Sequence, residues 1–259
     1  MSDLAVSLVQ TQLEWEHARA NREHLQDLLA PLAKSSLAVL PEMFSSGFSN
    51  RSAAIAEAAD GESVQWAIEQ AQILRGAIAG SLAIQLENGV ANRFIFATED
   101  PTVKHYDKRH LFRMAGEHKR YIAGLQRQIF NWRGWRILPQ VCYDLRFPVW
   151  SRNRNDYDLA IYVANWPAAR RYAWRQLLIA RAIENQCYVI GVNRVGIDGN
   201  EIDYSGDSLV IGPDGNIVLD MKDYNGTETC SLSLNRLQEY REKFPAWMDA
   251  DGFNITLEP

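Results

Sequence analysis

The ten residues Pro139-Gln140-Val141-Cys142-Tyr143-Asp144-Leu145-Arg146-Phe147-Pro148 place one cysteine between an apolar run, Trp135 to Val141, and a segment that opens with charges and then has helical character. A strand that turns sharply into a helix holds a side chain exposed beside free backbone N–H groups, the setting of a nucleophile. A lone cysteine also packs well as a small buried hydrophobe, and taken alone this stretch favours that structural role. What the rest of the chain brings to Cys142 decides between the two.

Working outward, short apolar runs predict strands at Leu4–Val9, Leu37–Leu40, Ala77–Leu86, Asn92–Ala97, Val103–Tyr106, Gln128–Trp132, Trp135–Val141, Leu159–Val163 and Cys187–Asn193. Helical spacing of apolar residues predicts helices from about Trp15 to Leu32, over Ser63–Leu74 and over Arg171–Asn185. Asn88-Gly89 and Arg133-Gly134 are hairpin turn signals, and Gly212-Pro213-Asp214-Gly215 separates two late strand runs at Ser208–Ile211 and Asn216–Leu219. Lys108 to Gly124 is polar and irregular. No composition break, linker or repeat divides residues 1–259, so one domain of layered sheets and helices is expected.

Composition removes several functions. Of the 259 residues, 47% are hydrophobic and 23% charged, ordinary values for a soluble protein, and the net charge of −5 comes with no basic stripe. Nucleic-acid binding is therefore not expected. No apolar run approaches the roughly 18 residues that span a bilayer, and no secretory signal is visible, so a cytoplasmic setting is expected. The three cysteines, Cys142, Cys187 and Cys230, fit neither a disulfide framework nor a metal site. No His-Glu cluster has metal-ligand spacing and no glycine-rich phosphate loop follows a strand, so no metal or cofactor is expected.

Three ionisable residues sit where strands are expected to end: Glu42, Lys108 and Cys142. Surface charge is the ordinary explanation for either charged residue alone. Together they are a chemically complete set, because attack on a carbonyl needs a thiolate, a base for the thiol proton and a cation or N–H groups for the oxyanion. The backbone N–H of Tyr143 is placed to be a second oxyanion donor. His105, His110 and His118 all fall near Lys108, which leaves a Cys–His hydrolase open by counting alone.

At this set the chain resembles the nitrilase superfamily of carbon–nitrogen hydrolases, whose members use a Glu-Lys-Cys triad. Val39-Leu40-Pro41-Glu42-Met43-Phe44 is similar to the first motif, Tyr106-Asp107-Lys108-Arg109-His110-Leu111-Phe112 to the second and Val141 to Pro148 to the third. The resemblance implies an α/β fold, the four-layer α-β-β-α sandwich, with Glu42, Lys108 and Cys142 catalytic. It also implies that Glu117, in Ala115-Gly116-Glu117-His118, holds Lys108 and helps orient the substrate amide.

Within the superfamily the cysteine and lysine motifs look most like omega-amidases, which cleave the terminal amide of 2-oxo acids such as 2-oxoglutaramate and 2-oxosuccinamate. A substrate of that kind needs a cation for its carboxylate, and Arg146, Arg113 and Arg170 are candidates. Arg146 is expected chiefly to brace the cysteine turn by pairing with an acidic neighbour. Asn165 and Trp166, at another strand end, are candidate pocket residues. Nitrile or N-carbamoyl hydrolysis, or a non-catalytic binding role on the same fold, stand as alternatives. The resemblance further implies a homodimer, to which helix Arg171–Asn185 and Phe244-Pro245-Ala246-Trp247 contribute.

Overall fold

Along the strand Leu159–Ala164 every residue is buried, and alternate side chains enter different cores. Leu159, Ile161 and Val163 join Val6, Leu8, Phe94 and Phe96 between two sheets. Ala160, Tyr162 and Ala164 meet Trp174, Leu178 and Ala182 of the helix Arg171–Asn185. A strand covered on both faces has no polar face to show, which is why these segments appear as unbroken apolar runs.

The computed structural model describes residues 3–34 and 36–256. One six-stranded sheet has the order Gly226–Leu232, Leu4–Gln10, Leu37–Val39, Ala77–Leu86, Gly89–Thr98, Val103–Asp107. The other runs Ile217–Asp220, Leu209–Ile211, Tyr188–Asn193, Leu159–Ala164, Trp135–Val141, Phe130–Trp132. Helices Ala18–Leu29 and Glu62–Leu74 cover the first sheet through Leu25, Leu29, Ala67 and Ala71, and Arg171–Asn185 covers the second. The result is the four-layer α-β-β-α sandwich that the motifs implied. In both sheets the central strands are parallel and the outer pairs antiparallel. Carboxyl ends of parallel strands are where an α/β fold gathers functional side chains.

One helix boundary and one strand differ from expectation, each for an identifiable reason. The first helix begins at Ala18 rather than near Trp15, because Glu16 takes a left-handed conformation (φ 54°) and its N–H donates to Ser46 O at 2.8 Å. His17 then caps the helix by accepting the Ala20 N–H on Nδ1 at 3.2 Å. Arg133 (φ 49°) and Gly134 (φ 83°) both occupy the left-handed region, the type I′ turn that suits a two-residue hairpin. The strand Gly226–Leu232 was not foreseen: its run of Thr227, Glu228, Thr229 and Ser231 lacks an apolar signal, because as an edge strand it shows much of its surface to water. Among the described residues no helix is long and apolar enough to cross a membrane.

The helix Arg171–Asn185 is pressed onto the second sheet at Gly191. A Cβ there would fall 2.4 Å from Leu178 Cδ1 and 2.9 Å from Trp174 Cζ2. We expect Gly191→Ala to lower stability by about 1–3 kcal/mol through overpacking; an unchanged urea midpoint would refute this account of the helix–sheet contact.

Candidate active site

Two strand ends and the irregular segment beyond one of them deliver three charges to one dry point. Glu42 follows Leu37–Val39, Lys108 follows Val103–Asp107, and Glu117 lies in a short 3₁₀ turn, Glu117–Lys119, within the irregular segment beyond it. All three are fully buried. Lys108 Nζ donates to Glu42 Oε1 at 2.9 Å and lies 3.0 Å from each carboxylate oxygen of Glu117. Glu117 Oε2 also accepts the Phe112 N–H at 2.5 Å. Glu42 Oε2 accepts the backbone N–H of Asn165 at 2.8 Å, while Asn165 Nδ2 donates to the Glu42 carbonyl at 2.6 Å. Burial opposes the ammonium of Lys108, but Glu117 and Glu42 on either side outweigh it and push its pKa well up. Burial raises the Glu117 carboxyl, Lys108 pulls it back, and the neighbouring Glu42 adds to the rise.

Cys142 arrives from the other sheet, at the end of Trp135–Val141, and opens a 3₁₀ helix, Cys142–Arg146. It has φ 45°, a left-handed conformation that costs a non-glycine residue on the order of 1–3 kcal/mol. Asp144 holds that turn. Its Oδ2 accepts the Val141 N–H at 3.0 Å and the Tyr106 hydroxyl at 2.9 Å, and its Oδ1 accepts the His110 N–H at 3.0 Å. His110 Nδ1 lies 2.8 Å from the same Oδ1, so this histidine serves Asp144 rather than the thiol. The sulfur sits 4.0 Å from Asn165 O. Burial and then the negative Glu42 push its pKa well up, against the pull of Lys108, so the resting thiol is protonated near neutrality. Tyr143 lies in the first turn of the 3₁₀ helix, where backbone N–H groups have no partner within the helix.

The thiol faces a cleft of about 270 Å³ lined by Phe112, Met114, Cys142, Tyr143, Arg146, Asn165, Trp166, Pro167 and Arg170. A larger cleft of about 550 Å³ beside Trp247 contains none of the four clustered residues. Asn165 and Trp166 therefore line the cleft as expected, although Asn165 also fastens Glu42. Arg146 departs from expectation. Among the described residues it has no acidic partner; its guanidinium lies 5.1 Å over the Trp166 ring instead. The turn is braced by Asp144 and by Arg181, whose Nη2 donates to Leu145 O at 2.6 Å. Arg170 stands 5.3 Å over the Phe112 ring on the cleft wall, whereas Arg113 is not among the lining residues.

Sequence reasoning missed Asn92 and the work of Asp144. Asn92 is fully buried in Gly89–Thr98, and its Nδ2 donates to Glu42 Oε1 at 2.8 Å and Glu117 Oε1 at 3.3 Å. The available signal was a polar residue opening an otherwise apolar strand run. Asp144 carried a similar one, an acid two residues after a strand-end cysteine where a helix starts.

Comparison with known proteins identifies the family. The carbon-nitrogen hydrolase family model matches residues 5–242. The chain is 54% identical over 256 residues to omega-amidase YafV of Escherichia coli K12, covering 98% of this chain and 100% of that protein. It is 32% identical over 216 residues to 2-oxoglutaramate amidase of Bacillus subtilis, covering 82% and 83% of the two chains. Among solved structures, XC1258 from Xanthomonas campestris, a CN-hydrolase superfamily protein with an arsenic adduct in its active site, superimposes with a TM-score of 0.97 at 49% identity over 99% of this chain and 100% of that one. Matches of this extent run through both sheets and every segment of the cluster, and the chain accordingly belongs to the carbon–nitrogen hydrolase family.

Proposed function

We propose that this protein hydrolyses the terminal amide of a small 2-oxo acid amide, 2-oxoglutaramate or 2-oxosuccinamate, to the dicarboxylate and ammonia through a Cys142 thioester. The observation that carries the reading is a thiol set between a buried Glu-Lys-Glu cluster and a small cleft with two guanidiniums that lack acidic partners among the described residues. Its relatives named omega-amidase and 2-oxoglutaramate amidase support the substrate class.

In this mechanism Glu42 takes the Cys142 proton as the sulfur attacks the amide carbon, so that no free thiolate accumulates beforehand. Lys108 and the Tyr143 N–H stabilise the oxyanion. Glu42 returns the proton to the departing nitrogen, and ammonia leaves a thioester. A water deprotonated by Glu42 then attacks that carbonyl, releasing the carboxylic acid and restoring the thiol. Glu117 keeps Lys108 in place and orients the amide. Arg146 and Arg170 suit the far carboxylate, which two guanidinium forks bind better than one point charge. A cytoplasmic setting fits a nucleophile that must stay reduced.

Ammonia release from 2-oxoglutaramate should exceed that from glutamine, asparagine and a simple nitrile. Cys142→Ala should abolish it with the circular dichroism spectrum unchanged, and retained turnover would sink the thioester route. Arg146→Ala and Arg170→Ala should each raise KM for 2-oxoglutaramate about tenfold, with kcat less affected. Unaltered KM in both would remove them as the carboxylate site.

We also infer a homodimer that covers apolar side chains now facing water: Tyr172 (76% exposed) and Ile183 (51%) on the helix Arg171–Asn185, and Phe244 (59%) and Met248 (67%) beyond it. Sedimentation at micromolar concentration should give twice the chain mass, and a monomer would contradict the interface.

A further inference from the structure

Two carboxylates share one ammonium at the buried cluster, and the excess negative charge needs another donor. Lys108 Nζ has three protons, and both Glu42 Oε1 and Glu117 lie within bonding distance of it. Asn92 Nδ2 approaches the same two Oε1 atoms from the neighbouring strand, at 2.8 and 3.3 Å. Its orientation is determined by what lies behind it. The Met43 N–H donates to Ser81 Oγ at 2.9 Å, and the Ser81 hydroxyl donates to Asn92 Oδ1, also at 2.9 Å. The amide therefore cannot turn its oxygen towards the carboxylates without breaking a one-directional chain of hydrogen bonds. The Asn92 carbonyl accepts the Lys108 backbone N–H at 2.9 Å, so one residue touches all three charged partners.

We propose that Asn92 is a positioning residue: its NH2 clamps the two carboxylates in their ionised forms, so that Lys108 can turn one of the two contacts it makes with Glu117 towards the substrate oxygen. The role rests on the proposed thioester chemistry and extends it to a residue that touches neither substrate nor thiol. A hydrogen bond to a carboxylate favours its charged form, so removing this donor should make the cluster harder to ionise. The other titratable groups facing the pair are Lys108, Cys142, Tyr121 and Tyr204. Burial pushes both tyrosines upward, so they stay neutral across the working range, and the Tyr121 hydroxyl is already committed to Ser49 O at 2.5 Å.

The experiment compares the wild type with Asn92→Ala and the isosteric Asn92→Asp, using two pH profiles. One is kcat/KM for 2-oxoglutaramate; the other is the rate of Cys142 alkylation by iodoacetamide, read by mass spectrometry with Cys142→Ala as blank. Both variants should lose about ten- to a hundredfold in kcat at neutral pH with a much smaller change in KM. In both, the acid limb of each profile should move up by about one pH unit. Ser81→Ala, which frees the amide to rotate and also removes the acceptor of the Met43 N–H, should move the limb in the same direction by less, and decides the matter if the Asn92 variants do not fold. Acid limbs that stay at the wild-type pH while rates fall would reduce Asn92 to a packing residue and overturn the proposal. A wild type that releases no ammonia from 2-oxoglutaramate would instead refute the substrate reading, while the alkylation limbs still decide the role of Asn92.

Discussion

The ammonium of Lys108, held between Glu42 and Glu117 with no access to water, is the constraint around which the molecule is arranged. Removing three ionisable groups from solvent costs several kcal/mol for each ion unless the partners and remaining lone pairs are satisfied inside the protein. The satisfaction here is nearly complete. Glu42 accepts from Lys108, Asn92 and Asn165, and Glu117 accepts from Lys108, Asn92 and the Phe112 backbone. Those four donor residues, Asn92, Lys108, Phe112 and Asn165, are drawn from both sheets, so the cluster is stable only where the whole fold brings them together. Such a site trades stability for pre-organisation: its dipoles already point where charge will develop.

The two sheets divide the chemistry. The first supplies Glu42, Asn92 and Lys108; the second supplies Cys142 and Asn165. Neither sheet alone holds the thiol beside the buried carboxylates. Asp144 stitches the halves by taking Val141 from the second sheet and Tyr106 and His110 from the end of the first. The same residue secures the left-handed backbone at Cys142, so positioning the sulfur and joining the sheets are one task. Asn165 repeats the pattern, donating across the seam to the Glu42 carboxylate and carbonyl.

How much of this was legible in the sequence follows from the range of the forces involved. The strand Leu159–Ala164 and the helix Arg171–Asn185 are set by local periodicity and were visible to within a residue. Glu42, Lys108 and Cys142 were visible as chemistry placed at strand ends, and the motifs around them carried the fold. Gly226–Leu232 escaped because an edge strand gains its order from pairing with Leu4–Gln10, more than two hundred residues away, rather than from its own pattern. Arg146 was misjudged for a related reason. Stacking on Trp166 depends on how two strand ends meet, and nothing within the Cys142 motif records it. Asn92 was visible only as a polar residue at the start of an apolar run, because its partners lie fifty residues before it and twenty-five after.

The seam between the sheets has a mechanical consequence. Cys142 and Glu42 are attached to opposite walls, and between those walls lies an aromatic and aliphatic filling that includes Phe94, Phe96, Trp132, Trp135, Ile161 and Ile190. Chemistry of this kind tolerates displacements of well under an ångström. The interior packing therefore acts as a spacer gauge for the reaction. A methylene gained or lost in that filling is felt by both walls, which couples the packing of the core to the geometry around Cys142.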